Sequence, residues 1–222
     1  MAAQPIVIYG AGGHAREVAW LLDAVNARGA RFRVLGFLDD APENHGLARN
    51  DLPILGGSEW IDGCGEDRLA VVLGIGSPGA KHRIVRRLRP LGVEFPVVVH
   101  PDVPLCRWVE LGEGTTITYG CSLTVDVTLG SFVFLNRHVT VGHDARIGSY
   151  ANLNPGVVVS GNDDLGEGVD IGTGTVIIQQ LRVGEGAIVG AGASVVRDLP
   201  PNVTAVGVPA RPVRENPDWR TR

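Results

Sequence analysis

The sequence predicts a two-part chain: an α/β N-terminal domain built on a small parallel sheet, then an all-β parallel β-helix. Two patterns predict the halves. From Leu105 to Val195 every sixth residue is Leu, Ile or Val. That period fits neither a 3.6-residue helix nor a two-residue strand alternation, and it marks a hexapeptide solenoid. Before about residue 98, short apolar runs alternate with helical patterns, as in a parallel sheet joined by crossover helices. The 222 residues divide as 1–99 and 100–222, with the break at His100 to Pro104, where two prolines fall.

The first strand is the apolar run Ile6 to Tyr9, which ends in Gly10-Ala11-Gly12-Gly13-His14-Ala15. A helix follows, with Val18, Leu21, Leu22 and Val25 on one face. Val34 to Leu38 is a second strand, closed by Asp39-Asp40. Ala70 to Leu73 is a third, closed by Gly74-Ile75-Gly76-Ser77. The basic stretch Lys81 to Arg89 reads as an amphipathic helix, and Phe95 to Val99 as a last strand. Gly10, Gly12 and Ala15 match the G-x-G-x-x-G/A turn of a Rossmann-like sheet, in which a helix N-terminus and free backbone N–H groups face an anion. About 95 residues are too few for two mononucleotide halves. A nucleotide, or a nucleotide diphosphate carrying another group, therefore fits better than NAD. Asp39 and Asp40 stand at the carboxyl edge, where such sheets bind ligands. They read either as hydrogen-bonding partners of a ribose or base, or as a solvated turn.

In the second half, the residue two before each ladder position is small or compact, as at Thr115, Cys121, Val127, Ala145, Ala151, Val169 and Ala187. These would fill the corners of a triangular prism whose faces are short strands. Three hexads make one coil of 18 residues, and Gly112, Gly130, Gly148, Gly166 and Gly184 follow that spacing. Glycine there suits a corner needing positive φ and close backbone approach. Stacked coils supply the core that one coil lacks. Two corners break the rule: Asp163 is charged and Leu181 oversized.

A net charge of −4 gives no electrostatic case for nucleic acid. No apolar run reaches transmembrane length, and Pro5 and Gly10 interrupt any signal-like segment. Cys64, Cys106 and Cys121 form no CxxC and read as reduced cytoplasmic thiols. Of six histidines, His45 and His82 lie in polar, surface-like contexts, and His100 precedes a proline as a structural residue. His14 sits in the glycine turn. His143 follows Gly142, two residues past the inward Val141, a phase that points it out of the prism beside Asp144. An imidazole with a neighbouring carboxylate is suited to accept a proton near neutrality. The plain alternative is an exposed surface histidine.

Tyr9 to Val18 (YGAGGHAREV), the hexads, Val141 to Gly148 (VGHDARIG) and Val206 to Arg211 (VGVPAR) together resemble one family over nearly the whole chain. It is the sugar O- and N-acyltransferases of the sialic acid O-acetyltransferase type, with the bacillosamine-pathway and perosamine N-acetyltransferases. The resemblance implies a left-handed β-helix and a homotrimer with active sites between subunits. It implies acetyl-CoA as co-substrate in the groove between prisms, a nucleotide-linked amino sugar on the N-terminal domain, and a place in bacterial surface-glycan biosynthesis. His143 would be the general base. Many relatives carry Glu where this chain has Asp144, one methylene shorter. Asn136 matches a polar active-site position. Gly161 matches a turn whose amide meets acetyl-CoA, and Gly190, Ala191 and Arg197 match CoA contacts. Gly12, His14, Arg16, Asp39, Asp40 and Gly76 match nucleotide-sugar contacts. The run Asn162-Asp163-Asp164 replaces an apolar hexad and is expected to bulge at the groove toward the substrate amine. The leading acceptor is a GDP- or UDP-linked 4-amino-4,6-dideoxy sugar, with sialic acid O-acetylation as the alternative. Two rivals remain. One is a non-catalytic sugar-nucleotide scaffold. The other is a zinc enzyme of the prism carbonic anhydrase kind, since His138 and His143 are five apart; its third ligand would fall near residue 102, which is Asp102. No metal is expected.

Overall fold

A computed structural model describes residues 3–222. The N-terminal sheet has the order β3-β4-β2-β1-β5, from β1 (Gln4–Tyr9), β2 (Phe32–Leu38), β3 (Ala48–Arg49), β4 (Leu52–Gly56) and β5 (Ala70–Leu73). All pairs are parallel except β3 with β4. The helix α1 (Gly13–Asn26) packs Ala15, Val18, Leu21 and Leu22 on one face of the sheet. The short α2 (Trp60–Gly63) and α3 (Pro78–Leu88) lie on the other, where Ile84, Val85 and Leu88 are buried. Ser77 caps α3 by accepting from the Ala80 amide, and Pro78 takes the first turn, where no donor is needed. The hairpin Ala48 to Gly56 and the short α2 are parts of this domain that the sequence pattern did not mark.

Of the strand read at Phe95 to Val99 only Val98–Val99 forms, and it pairs in parallel with Thr116–Ile117 as the first rung of the prism. Glu94, just before the predicted strand, bridges Ala70 in the N-terminal sheet. From there the chain winds as a left-handed parallel β-helix with three faces. The first face stacks Val98–Val99, Thr116–Ile117, Phe134–Leu135, Asn152–Leu153, Asp170–Ile171, Ile188–Val189 and Val203–Val206. The second stacks Ser122–Leu123, Thr140–Val141, Val158–Val159, Val176–Ile177 and Ser194–Val195. The third stacks Val109–Leu111, Val127–Leu129, Arg146–Ile147, Asp164–Leu165 and Arg182–Val183. Ladder residues from Ile117 to Val195 point inward and are at most 6% exposed. Leu105 is not part of that core: it is 40% exposed, below the first complete coil.

The glycines at 112, 130, 148, 166 and 184 are required for a different reason than positive φ, which none of them has. A Cβ at Gly148 would stand 2.5 Å from the Glu167 amide, and one at Gly112 2.5 Å from the Ser131 amide. The backbones of successive coils meet there, and no side chain fits between them.

The two parts share core. Phe134 packs with α1, and Phe132 and Tyr150 pack with the α3 side of the sheet. Lys81 of α3 is 1% exposed; its Nζ donates to the Phe132 carbonyl (2.8 Å) and the Ala151 carbonyl (3.2 Å) of the prism. After the antiparallel strand Arg211–Glu215, Trp219 buries against α3 and the prism corner, over Gly168 and Gly186, and donates from Nε1 to Glu185 (2.9 Å). Among the described residues, no helix is long and apolar enough to cross a membrane.

Candidate active site

His143 stands at the corner between the second and third faces. Val141 is buried, and the next two residues carry the chain outward, so the imidazole is exposed. Its Nδ1 lies 2.7 Å from Asp144 Oδ2. Asp144 adopts a left-handed conformation (φ 58°), and its short side chain reaches the imidazole directly. With a carboxylate as acceptor, Nδ1 carries the proton and Nε2 is left as the basic nitrogen. Below the ring lies Gly161, one coil on: a Cβ there would stand 2.7 Å from both Cε1 and Nε2. The Asn162 amide donates to the His143 carbonyl (2.8 Å), and the Gln180 amide to that of Gly161 (3.1 Å). The imidazole therefore rests on a backbone shelf.

The strand register stacks His143, Gly161 and Arg197 in one column at this corner. Asn136, Gly190 and Ala191 belong to the corner between the first and second faces. One chain does not bring the two sets together; the width of the second face separates them. Asn136 is buried and its Oδ1 accepts from the Arg137 amide (2.8 Å).

Asp163 corrects the expected bulge. Arg146–Ile147 pairs in register with Asp164–Leu165, so no residue is extruded. The Asp163 side chain turns into the prism, is 1% exposed, and is out of reach of a substrate amine. Asn162 and Asp164 are the exposed members of the run, Asn162 in a left-handed turn beside His143. Burial pushes the Asp163 carboxyl up to about 6, against the pull of the Leu181 and Ser160 amides bonded to it.

At the N-terminal sheet edge, Gly10 takes φ 105° and a Cβ would meet the Gly74 carbonyl at 2.9 Å. A Cβ on Gly74 would collide with Ala15 at 2.5 Å, which is why the third position of the motif is small. Nothing lies within 4 Å of a Cβ on Gly12, so the N-terminus of α1 is open to a ligand. Asp39 serves the turn: Oδ2 accepts from the Ala11 amide (3.1 Å) and Oδ1 from the Ala41 amide (3.0 Å). His45 has a role after all, with Nε2 2.8 Å from the Asp39 carbonyl. Asp40 pairs with Arg87 (2.8 Å) and accepts from the Tyr9 hydroxyl. Burial, then hydrogen bonding to Asp40, pushes that phenol up.

His14 follows Gly13 on α1, with its ring 4.1 Å from that of Phe134. Its Nε2 is buried and has no hydrogen-bond partner among the described residues. Burial, and then the charge of Lys81, pushes the imidazole down to about 4, so it is neutral at physiological pH. Arg16 lines a cavity of about 390 Å³ with Gly13, His14 and Trp20, and Gly76 lines another of about 240 Å³ toward Asp170 and Trp219. Lys81 was hidden in a basic run. Burial lowers its ammonium to about 7, opposed by Asp170, whose carboxyl burial raises. His82 is half-buried and packs on Tyr150 (5.2 Å) and Trp219 (5.4 Å). His100 is buried against Tyr119 (5.1 Å). His138 stands at the Asn136 corner over Gly120, and Asp102 pairs with Arg28 (3.0 Å). No metal-binding group of His, Cys, Asp and Glu is found among the described residues.

Residues 5–88 match the PglD N-terminal domain family. The chain is 31% identical to PerB from Caulobacter crescentus, solved with CoA and GDP-perosamine, with a TM-score of 0.87 over 96% of this chain and 99% of that one. It belongs to the sugar acyltransferase family of PglD and PerB. The acyltransferase is also similar to the acetyltransferase domain of PglB from Neisseria gonorrhoeae, solved with acetyl coenzyme A (29% identity, TM-score 0.86, 96% and 100% coverage). WeeI from Acinetobacter baumannii is a third relative (31%, TM-score 0.85, 95% and 100%). No curated protein sequence matches the acyltransferase significantly. Histidine-to-asparagine and histidine-to-alanine variants of the Caulobacter enzyme have been solved with the same two ligands.

Proposed function

We propose that this acyltransferase moves an acetyl group from acetyl-CoA to the amine of a GDP- or UDP-linked 4-amino-4,6-dideoxy sugar in the cytoplasm, as a step in surface-glycan assembly. The observation that carries the reading is the exposed His143–Asp144 pair on the Gly161 shelf, in a chain that matches an amino-sugar acetyltransferase from end to end. His143 Nε2 takes a proton from the sugar's amino nitrogen as that nitrogen attacks the thioester carbonyl. The C–N bond forms, a tetrahedral oxyanion collapses, the C–S bond breaks, and the proton passes to the departing thiolate. Holding amine and thioester together supplies a large share of the acceleration. The base adds roughly 10²–10⁴-fold.

The Gly161 N–H has no intramolecular partner among the described residues and suits an acyl or pantetheine oxygen. Arg197 stands three coils beyond His143 in the same column, about 14 Å at ordinary strand spacing. A long thin donor laid along that edge puts its thioester at His143 and its phosphates at Arg197. Gly12, His14, Arg16 and Gly76 would hold the nucleotide sugar, with Asp39 and Asp40 supporting that loop. Asn136, Gly190 and Ala191 complete the site only if a second copy brings its own first corner to His143. A homotrimer with active sites between subunits is the arrangement this supports.

The test is release of free CoA thiol with acetyl-CoA and a panel of GDP- and UDP-linked 4-amino sugars, with mass detection of the acetylated product. Hydroxyl-bearing analogues and sialic acid test O-transfer. Thiol release only with those acceptors would replace the amine reading, and none with any acceptor would end it.

A further inference from the structure

Asp163 has no part in the reaction as written, yet it is the one charged residue inside the prism's ladder of small corner residues. Its neighbours in that ladder, Val157 and Val169, fill their corners and are fully buried. A valine here would do the same without the desolvation cost of a carboxylate. Packing therefore does not account for the aspartate. Its two oxygens serve two coils, Oδ2 its own and Oδ1 the next. Oδ2 accepts from the Ser160 amide (3.0 Å), in the turn that holds Gly161. Oδ1 accepts from the Leu181 amide (2.9 Å), in the turn one coil beyond. The Asp163 amide carbonyl meanwhile accepts from Arg146, in the coil that carries His143.

Three consecutive coils are thereby tied at the corner where the imidazole sits. The ring rests on Gly161, whose own carbonyl accepts from Gln180, next to Leu181. Ser160 is held three ways: its amide by Asp163 and by the Ile177 carbonyl (3.2 Å), and its hydroxyl by that same carbonyl (2.8 Å). We propose that Asp163 is a positioning residue for acyl transfer, clamping the Ser160–Gly161 and Gln180–Leu181 turns so that the shelf under His143 and the free Gly161 amide keep a fixed place. The inference rests on the acetyl-transfer reading above. It differs from a contact with substrate, since the carboxylate faces the core.

The experiment compares full-length wild type with Asp163→Val, which restores an ordinary apolar corner, and Asp163→Asn, which keeps one acceptor oxygen. Three readouts are taken: thermal midpoint, separate kcat and KM for acetyl-CoA and for the sugar nucleotide, and hydrogen exchange resolved to segments 158–163 and 178–182. The expected result for Asp163→Val is a folded protein with kcat down, or KM for acetyl-CoA up, about tenfold. The KM for the sugar nucleotide stays within twofold, and exchange rises at least tenfold in those two segments alone. Asp163→Asn falls between and stands in if the valine variant does not fold. Unchanged kinetics with a shifted midpoint would make Asp163 a folding residue only and overturn the proposal. So would unchanged exchange in the two segments. If wild type transfers no acetyl group to any acceptor, the functional reading fails by itself, and the exchange result still decides whether Asp163 clamps the turns.

Discussion

Replacing Gly161 by alanine tests whether the shelf positions the imidazole. The added Cβ would lie 2.7 Å from Cε1 and Nε2 of His143, against an ordinary contact of about 3.5–4.0 Å. The ring must move by about 1 Å. Gly161 is not in a left-handed conformation, so alanine fits its backbone, and the atom displaced belongs to an exposed side chain. Folding stability should change by less than about 1 kcal/mol. Activity should not be spared, because a misplacement of about 1 Å can cost on the order of 10²-fold. We expect kcat to fall about 10- to 100-fold in the thiol-release assay with the thermal midpoint nearly unmoved. The same substitution made on a His143→Ala background should add little, since the displaced group is already gone. Equal losses in both backgrounds would mean that the methyl acts on the acyl donor instead. Undiminished kcat in Gly161→Ala would refute the positioned-base argument altogether.

His143→Asn or His143→Ala should lower kcat by roughly 10²–10⁴-fold while CoA affinity, measured calorimetrically, stays within about threefold. Lys81 gives a stability signature: its pKa is about 7 folded against 10.5 free, so between these the unfolded chain holds more protons and stability rises with pH. The wild-type minus Lys81→Met difference in unfolding free energy should climb toward alkaline pH across that window, by up to about 5 kcal/mol, and a flat difference would contradict the lowered pKa of the buried amine. Gly148→Ala puts a methyl 2.5 Å from the Glu167 amide and should cost about 1–3 kcal/mol or more in denaturant unfolding, whereas Gly12→Ala, with open space around it, should fold normally and raise the KM for the sugar nucleotide.

The hexad ladder made the prism legible because every coil repeats the same inward position; one period carries the fold. It also phased His143 outward, where the structure places it. Three things escaped. Leu105 keeps the period but lies below the first full coil, and periodicity alone does not say where stacking begins. The glycines at 112 to 184 obey the spacing for lack of room between coils, a constraint visible only once neighbouring backbones are in place. Asp163 occupied a corner, and a charged residue at an apolar position was read as a break; in three dimensions two backbone amides accommodate it. In the N-terminal domain the glycine motif marked the turn between the first strand and α1, and the structure leaves that helix N-terminus open. Lys81 was invisible, because a lysine in a basic helix gives no sign that a second domain will cover it. The reach of Asp144 depended on its left-handed backbone, which side-chain length alone does not disclose.

The vertical stacking of corners gives the enzyme an arithmetic of neighbourhood. A change at position 143 is felt at 125 and 161, through the Val125 and His143 carbonyls that bond the next turn, sooner than along much of its own coil. Epistasis around His143 should therefore recur at multiples of eighteen in the chain. A search for altered acyl-chain acceptance would do best to vary Gly161, Arg197 and the Gln179 that the strand register places between them as one set, leaving the sequence neighbours of His143 alone.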